Sequence, residues 1–220
     1  MTVQELFQSA CYKFGVDPTN ARFGDDFYSA VNDSQSDISN CRRWGFLRTT
    51  STLTTAASTR TVALPTNFSK FYSGRGNIRN TTSGSSGDKI ELMTFADWSN
   101  SQWEDGSSEG EPTYCYVQNS NLYLSPIPDA AYTFTIIYYK EPTSIANTSS
   151  TITIPSKYSE LLKKNVWRRL QDAGYSSTQE LTISDADIQR LLGRAAQDDI
   201  AEYGGFTMNL NSNSYDRRTV

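Results

Sequence analysis

The chain has 220 residues, a formal net charge of −4 and a hydrophobic fraction of 37%. The acidic balance argues against a protein that holds nucleic acid by neutralising phosphates, although DNA could still slide past an acidic wall without sticking. The hydrophobic fraction is low for a compact monomer of this length, so we expect neighbouring copies to complete part of the burial.

Two amphipathic helices are predicted within residues 1–47. The first follows Thr2, which forms a capping-box pattern with Glu5. The second contains Asp25 and Asp26, which we place at the positive end of its dipole. These two helices form an N-terminal helical pair.

From residue 48 the periodicity changes from helical to alternating. Residues 48–68 are rich in threonine and predict a hairpin. Further short strands follow, then a helical turn capped by Thr94 that carries Trp98, and then a polar loop that carries Trp103. We place both tryptophans at the surface.

Residues 113–142 contain three strand patterns at the spacing of a meander. The last strand is apolar on both faces, because Phe134, Ile136 and Tyr138 alternate with Ile137 and Tyr139. A strand of this kind is buried on both sides, by its own helices or by a neighbouring subunit. The inserted β domain therefore spans residues 48–142.

Residues 143–205 predict a second helical pair. One helix is capped by Ser156 and ends at Gly174, and the other begins at Ser184. Residues 206–220 have too few apolar side chains to pack and form a C-terminal arm. The fold class is α+β, a helical bundle of about four helices with an inserted antiparallel β domain and an extended C-terminal arm.

No residues indicate catalysis, a cofactor or a metal. The chain contains no histidine, and its three cysteines show no metal-binding spacing. Four acidic pairs are interpreted as solvated charge, namely Asp25/Asp26, Glu104/Asp105, Glu109/Glu111 and Asp198/Asp199. The cysteines are interpreted as small core fillers. We predict a protein that is not an enzyme, spans no membrane and stays in the cytoplasm where it is made.

The last two helices differ in charge, which suggests assembly. The first carries basic residues and the second carries acidic ones. The candidate subunit interface is Lys163, Lys164, Arg168, Arg169, Asp198 and Asp199. The pattern is equally typical of an ordinary solvated surface and of a basic face that meets the acidic face of the next copy in a ring.

The run from Gly110 to Pro142, followed by residues 151–170, contains several motifs in a fixed order. They are a strand from Pro112 to Tyr116, a Leu-x-Leu-x-Pro-x-Pro corner at Leu122, a tyrosine-rich strand, and Ile154-Pro155 before a helix. This order resembles the head-to-tail adaptor (connector) proteins of tailed bacteriophages, podovirus type.

The resemblance implies a virion structural protein in the head–tail neck. It implies a homo-oligomeric ring, typically of twelve copies, that docks under the portal protein, extends the genome ejection channel and offers a platform for the tail nozzle protein. Double-stranded DNA would pass without sequence recognition. The C-terminal arm would bind the portal through Tyr215, Asp216, Arg217 and Arg218, and the loop with Trp98 and Trp103 would face the tail.

Two alternatives remain at this point. One is another phage tail-fibre or baseplate module. The other is a carbohydrate-binding or carbohydrate-cleaving domain, which exposed Trp98 and Trp103 beside nearby acidic residues would support.

Overall fold

A computed structural model describes residues 1–72, 78–82, 89–100, 108–176 and 184–203. The described chain combines helices with two β-sheets, which confirms the α+β class. Trp103, the Glu104/Asp105 pair and the C-terminal arm lie outside the described residues.

The N-terminal helices are α1, Val3–Phe14, and α2, Ala21–Cys41. The predicted capping box of α1 is present, since Thr2 and Glu5 each bond the other's backbone N–H. The placement of Asp25 and Asp26 at the start of α2 is wrong. The side chain of Asn20 caps α2 by accepting from the Phe23 N–H at 3.1 Å, so α2 begins one turn earlier.

The strands form two sheets. The first sheet consists of β1 Arg48–Thr54, β3 Phe68–Phe71, β4 Ile78–Asn80 and β8 Thr133–Lys140. Strand β8 is central, with β1 along one side and β3 and β4 along the other. The second sheet has the order β2-β7-β6-β5; its strands are β2 Thr61–Ala63, β5 Glu91–Leu92, β6 Tyr114–Gln118 and β7 Asn121–Ser125. All strand pairs within the described residues are antiparallel except β5 with β6.

The predicted hairpin at residues 48–68 and the predicted meander at 113–142 are both wrong in their pairing. Strand β1 pairs with β8, and β2 pairs with β7, so the first turn leads from one sheet to the other. Strands β6 and β7 do form a hairpin, but β8 belongs to the opposite sheet. Alternation in the sequence identified the strands, while their partners depended on long-range packing.

The two sheets enclose one β core, to which Leu53, Phe134 and Ile136 contribute from the first sheet and Cys115 and Leu122 from the second. The two-sided burial predicted for β8 is confirmed at Tyr139, whereas Ile137 on the same face is only half-buried. Phe134, Ile136 and Tyr138 lie in the β core, whereas Tyr139 lies in the core of the helices. Strand β8 therefore joins the two parts of the molecule.

Three further helices are described: α3, Phe95–Asn100, in the inserted β domain, and α4, Ser159–Asp172, and α5, Asp185–Tyr203, after it. Ser184 caps α5 as predicted, accepting from the Asp187 N–H at 3.2 Å. Ser156 does not cap α4, because a 3₁₀ turn over Ser156–Tyr158 precedes that helix. Helix α4 packs against α2, and α5 packs against α4 and the 3₁₀ turn Gly45–Leu47.

Candidate assembly surfaces

Two exposed acidic side chains of the inserted β domain, those of Glu109 and Glu111, link segments that are distant in the sequence. Glu109 accepts a hydrogen bond from the Ser58 hydroxyl at 2.9 Å, and Glu111 accepts one from the Asn80 amide. Among the described residues, no group of three Cys, Asp or Glu side chains could hold a metal ion.

Asp199 is buried, with 2% of its surface exposed, and its interpretation as solvated charge is wrong. Its carboxylate accepts the Gly45 N–H at 3.0 Å and 3.1 Å and lies 3.5 Å from the Arg42 guanidinium. Arg42 also donates to the Ala196 carbonyl oxygen at 2.9 Å. These contacts fasten α5 to the end of α2, so Asp199 has its partners within its own chain and is not available to a neighbour.

The two arginines of the predicted basic face also have partners within the chain. Arg168 pairs with Asp185 and, at 4.0 Å, with Asp172. Arg169 pairs with Asp33 and Asp37 of α2. Much of the charge contrast between α4 and α5 is therefore neutralised inside the monomer.

Three residues of the candidate interface remain without such a partner. Lys163 and Lys164 are half-buried on α4, and Asp198 is exposed on α5. None of the three forms a salt bridge with a described residue.

Trp98 is completely buried, and the prediction that it is exposed is wrong. Its ring lies 4.5 Å from the ring of Tyr116, which stacks on Tyr123 at 4.8 Å. The exposed aromatic residue of α3 is instead Phe95, at 56% exposure, with its ring 5.8 Å from that of Tyr116. A helix of six residues is too short for its periodicity to show which side faces inward.

The cysteines behave differently from one another. Cys11 and Cys115 are buried, as predicted, and burial raises the pKa of the Cys115 thiol far above its usual range. Cys41 is exposed, so its interpretation as a core filler is wrong. Its thiol donates to the Ile38 carbonyl oxygen at 2.9 Å, and desolvation of the sulfur raises its pKa. None of the three is an activated thiolate.

The point from which the C-terminal arm departs is held closely. Tyr203 is the last residue of α5, and its side chain lies against Gly45. A Cβ atom added to Gly45 would lie only 2.2 Å to 2.5 Å from the Tyr203 side chain. Gly45 is therefore needed for the close approach of the two segments. The arm residues Tyr215 to Arg218 lie outside the described residues.

A family model described as SU10 adaptor protein matches residues 1–211. The chain belongs to the SU10 adaptor protein family. The family supports a structural role as a phage adaptor and a place in the virion. No curated protein matches the chain. No helix in the described ranges combines the length and the apolar composition needed to span a membrane.

Proposed function

We propose that this SU10 adaptor forms a ring of twelve copies that docks beneath the portal, extends the DNA channel and carries the tail nozzle. The observation that carries the proposal is the family match over residues 1–211. An acidic chain with a net charge of −4 would offer passing DNA few phosphate contacts.

The carbohydrate-binding alternative loses one of its two tryptophans, since Trp98 of α3 is buried. The fibre or baseplate alternative is disfavoured by the family match and by the two helical pairs around the β block. The adaptor role therefore fits the chain better than either alternative.

We assign portal binding to the C-terminal arm, with Tyr215, Arg217 and Arg218 as its anchors. A rigidly held α5 gives the arm a fixed starting point, and aromatic and arginine side chains are the usual anchors of an interface. Asp216 would pair with a cation of the portal. Residues Trp98 and Trp103 mark the region that we expect to face the nozzle, with Phe95 as its exposed aromatic group.

The test is docking of full-length protein and of a 1–205 truncation to purified portal rings, measured by co-sedimentation. We expect the full chain to dock and the truncated chain to remain in the supernatant. Both proteins should be folded at the assay temperature, because the two described cores consist of residues up to Ala195. Docking of the truncated chain at normal affinity would remove the arm from the proposal.

A further inference from the structure

The outer edge of β1 has no strand beside it in the described chain. On its inner side β1 pairs with β8 in one unbroken register, from Arg48 opposite Tyr139 to Thr54 opposite Thr133. On its other side no described strand follows, because β1 ends the strand order of its sheet. A seven-residue strand therefore presents a row of backbone groups to a possible partner.

The hydrogen-bond pattern identifies those backbone groups. The Thr55 N–H donates to the Tyr132 carbonyl oxygen at 2.9 Å, on the β8 side. Because bonding alternates along an antiparallel pair, the amides of Thr50, Thr52 and Thr54 point away from β8. All three residues are exposed.

This edge lacks the usual protection against pairing. Natural edge strands are kept unpaired by proline, lysine, bulges or short length. The sequence of β1, RTTSTLT, has no proline and a single charge, at Arg48, and its register with β8 has no bulge. Its threonines also favour the extended conformation. The edge is suited to accept a further strand.

The C-terminal arm supplies a segment with the matching pattern. Residues 206–211 read FTMNLN, in which apolar and polar side chains alternate over six positions. This period of two is the signature of a strand with one buried face. In the rest of the arm, asparagine, serine and charged residues predominate.

The segment can also reach the edge in its own chain. The described chain ends at Tyr203, which lies against Gly45, three residues before β1 begins. Three residues span at most about 10 Å. The 3₁₀ turn from Gly45 to the start of β1 covers only about 6 Å. A strand that begins at Phe206 can therefore lie beside Arg48 and run parallel to β1.

The two faces of β1 match the alternation of the segment. On the core side of the edge, Thr49 and Ser51 are only half-buried, whereas Leu53 is buried. Phe206, Met208 and Leu210 would cover that side. The polar residues between them would extend the opposite face, on which Thr50 and Thr52 are exposed.

We propose that residues 206–211 add to the first sheet as a parallel strand along β1 of the same chain. The added strand acts as a guide, since the remaining nine residues of the arm then leave from the Thr54 end of β1 in a defined direction. This inference concerns the isolated protein and does not depend on a portal. If the added strand does not form, the proposed docking of the arm on the portal is unaffected.

The test is amide hydrogen exchange, resolved by residue with NMR, on the full chain and on the 1–205 truncation. We expect the amides of Thr50, Thr52 and Thr54 to exchange at least tenfold more slowly in the full chain. The alternate amides of Thr49 and Leu53 bond to β8 and should exchange equally in both proteins. Equal exchange at Thr50, Thr52 and Thr54 would overturn the proposal.

Two substitutions in the arm give a matched comparison. Met208→Asp places a charge on the apolar side of the added strand and should remove the extra protection. Asn209→Asp places the same charge on the polar side of the strand and should leave the extra protection of the β1 amides in place. If both variants lose the extra amide protection, or if neither does, the assignment of the two faces is wrong. Protection that rises with protein concentration would show pairing between molecules and overturn the pairing within one chain.

Discussion

The environment of Asp199 decides what the acidic helix α5 can do. Asp198 and Asp199 are neighbours in the sequence, yet one is exposed and the other is buried with two backbone-directed hydrogen bonds and an arginine. Sequence reasoning could not separate them, because the groups that bind Asp199 lie near residue 45, far away along the chain. A buried carboxylate of this kind holds a fold together and is not open to a partner.

Replacement of Asp199 by alanine should therefore destabilise the monomer. It leaves the Arg42 guanidinium and the Gly45 N–H without their acceptor in a largely buried place, at a cost of about 3 kcal/mol in the free energy of unfolding. Asp198→Ala is the control and should change that free energy by less than about 0.5 kcal/mol. Urea unfolding followed by circular dichroism measures both. Equal effects of the two substitutions would refute the assignment.

The helices were more predictable than the sheets. The limits of α1 and the start of α5 follow from local caps at Thr2 and Ser184, which the sequence displays directly. The pairing of β1 with β8 joins segments that are distant in the sequence, and no local signal specifies it. Trp98 was misplaced for the same reason, since its cover comes from Tyr116 on β6. Three of the six residues in the candidate interface form ion pairs within the chain with residues that are distant in the sequence, and no local pattern shows such pairs.

The contact between α5 and the 3₁₀ turn is tight enough for a sharp test. Gly45→Ala would place a methyl group 2.2 Å to 2.5 Å from the Cβ and ring atoms of Tyr203, so the end of α5 must shift, at a cost of about 2 kcal/mol. Tyr203→Gly, which removes the Cβ as well as the ring, should remove most of that cost in the double variant. The measurement is the unfolding free energy of all four proteins. Additive effects of the two substitutions would mean that Tyr203 does not press on Gly45.

At the scale of the whole molecule, three charges of the candidate interface have no salt-bridge partner among the described residues, and we use them to predict how copies meet. Lys163 and Lys164 lie on α4 and Asp198 on α5, and the proposed ring brings these helices of adjacent copies together. Lys163→Glu with Lys164→Glu should reduce the ring fraction at least tenfold, and Asp198→Lys added to that pair should restore it. Native mass spectrometry gives the ring fraction. A ring that persists in the first variant would exclude this interface.

The most direct test of the adaptor role is negative-stain electron microscopy of the purified full chain mixed with portal rings. We expect a second ring of density, coaxial with the portal and on its tail side, with a continuous central channel. All class averages should show one rotational symmetry in the added layer of density. Portal rings that carry no additional layer, at protein concentrations well above those in a virion-producing cell, would contradict the account.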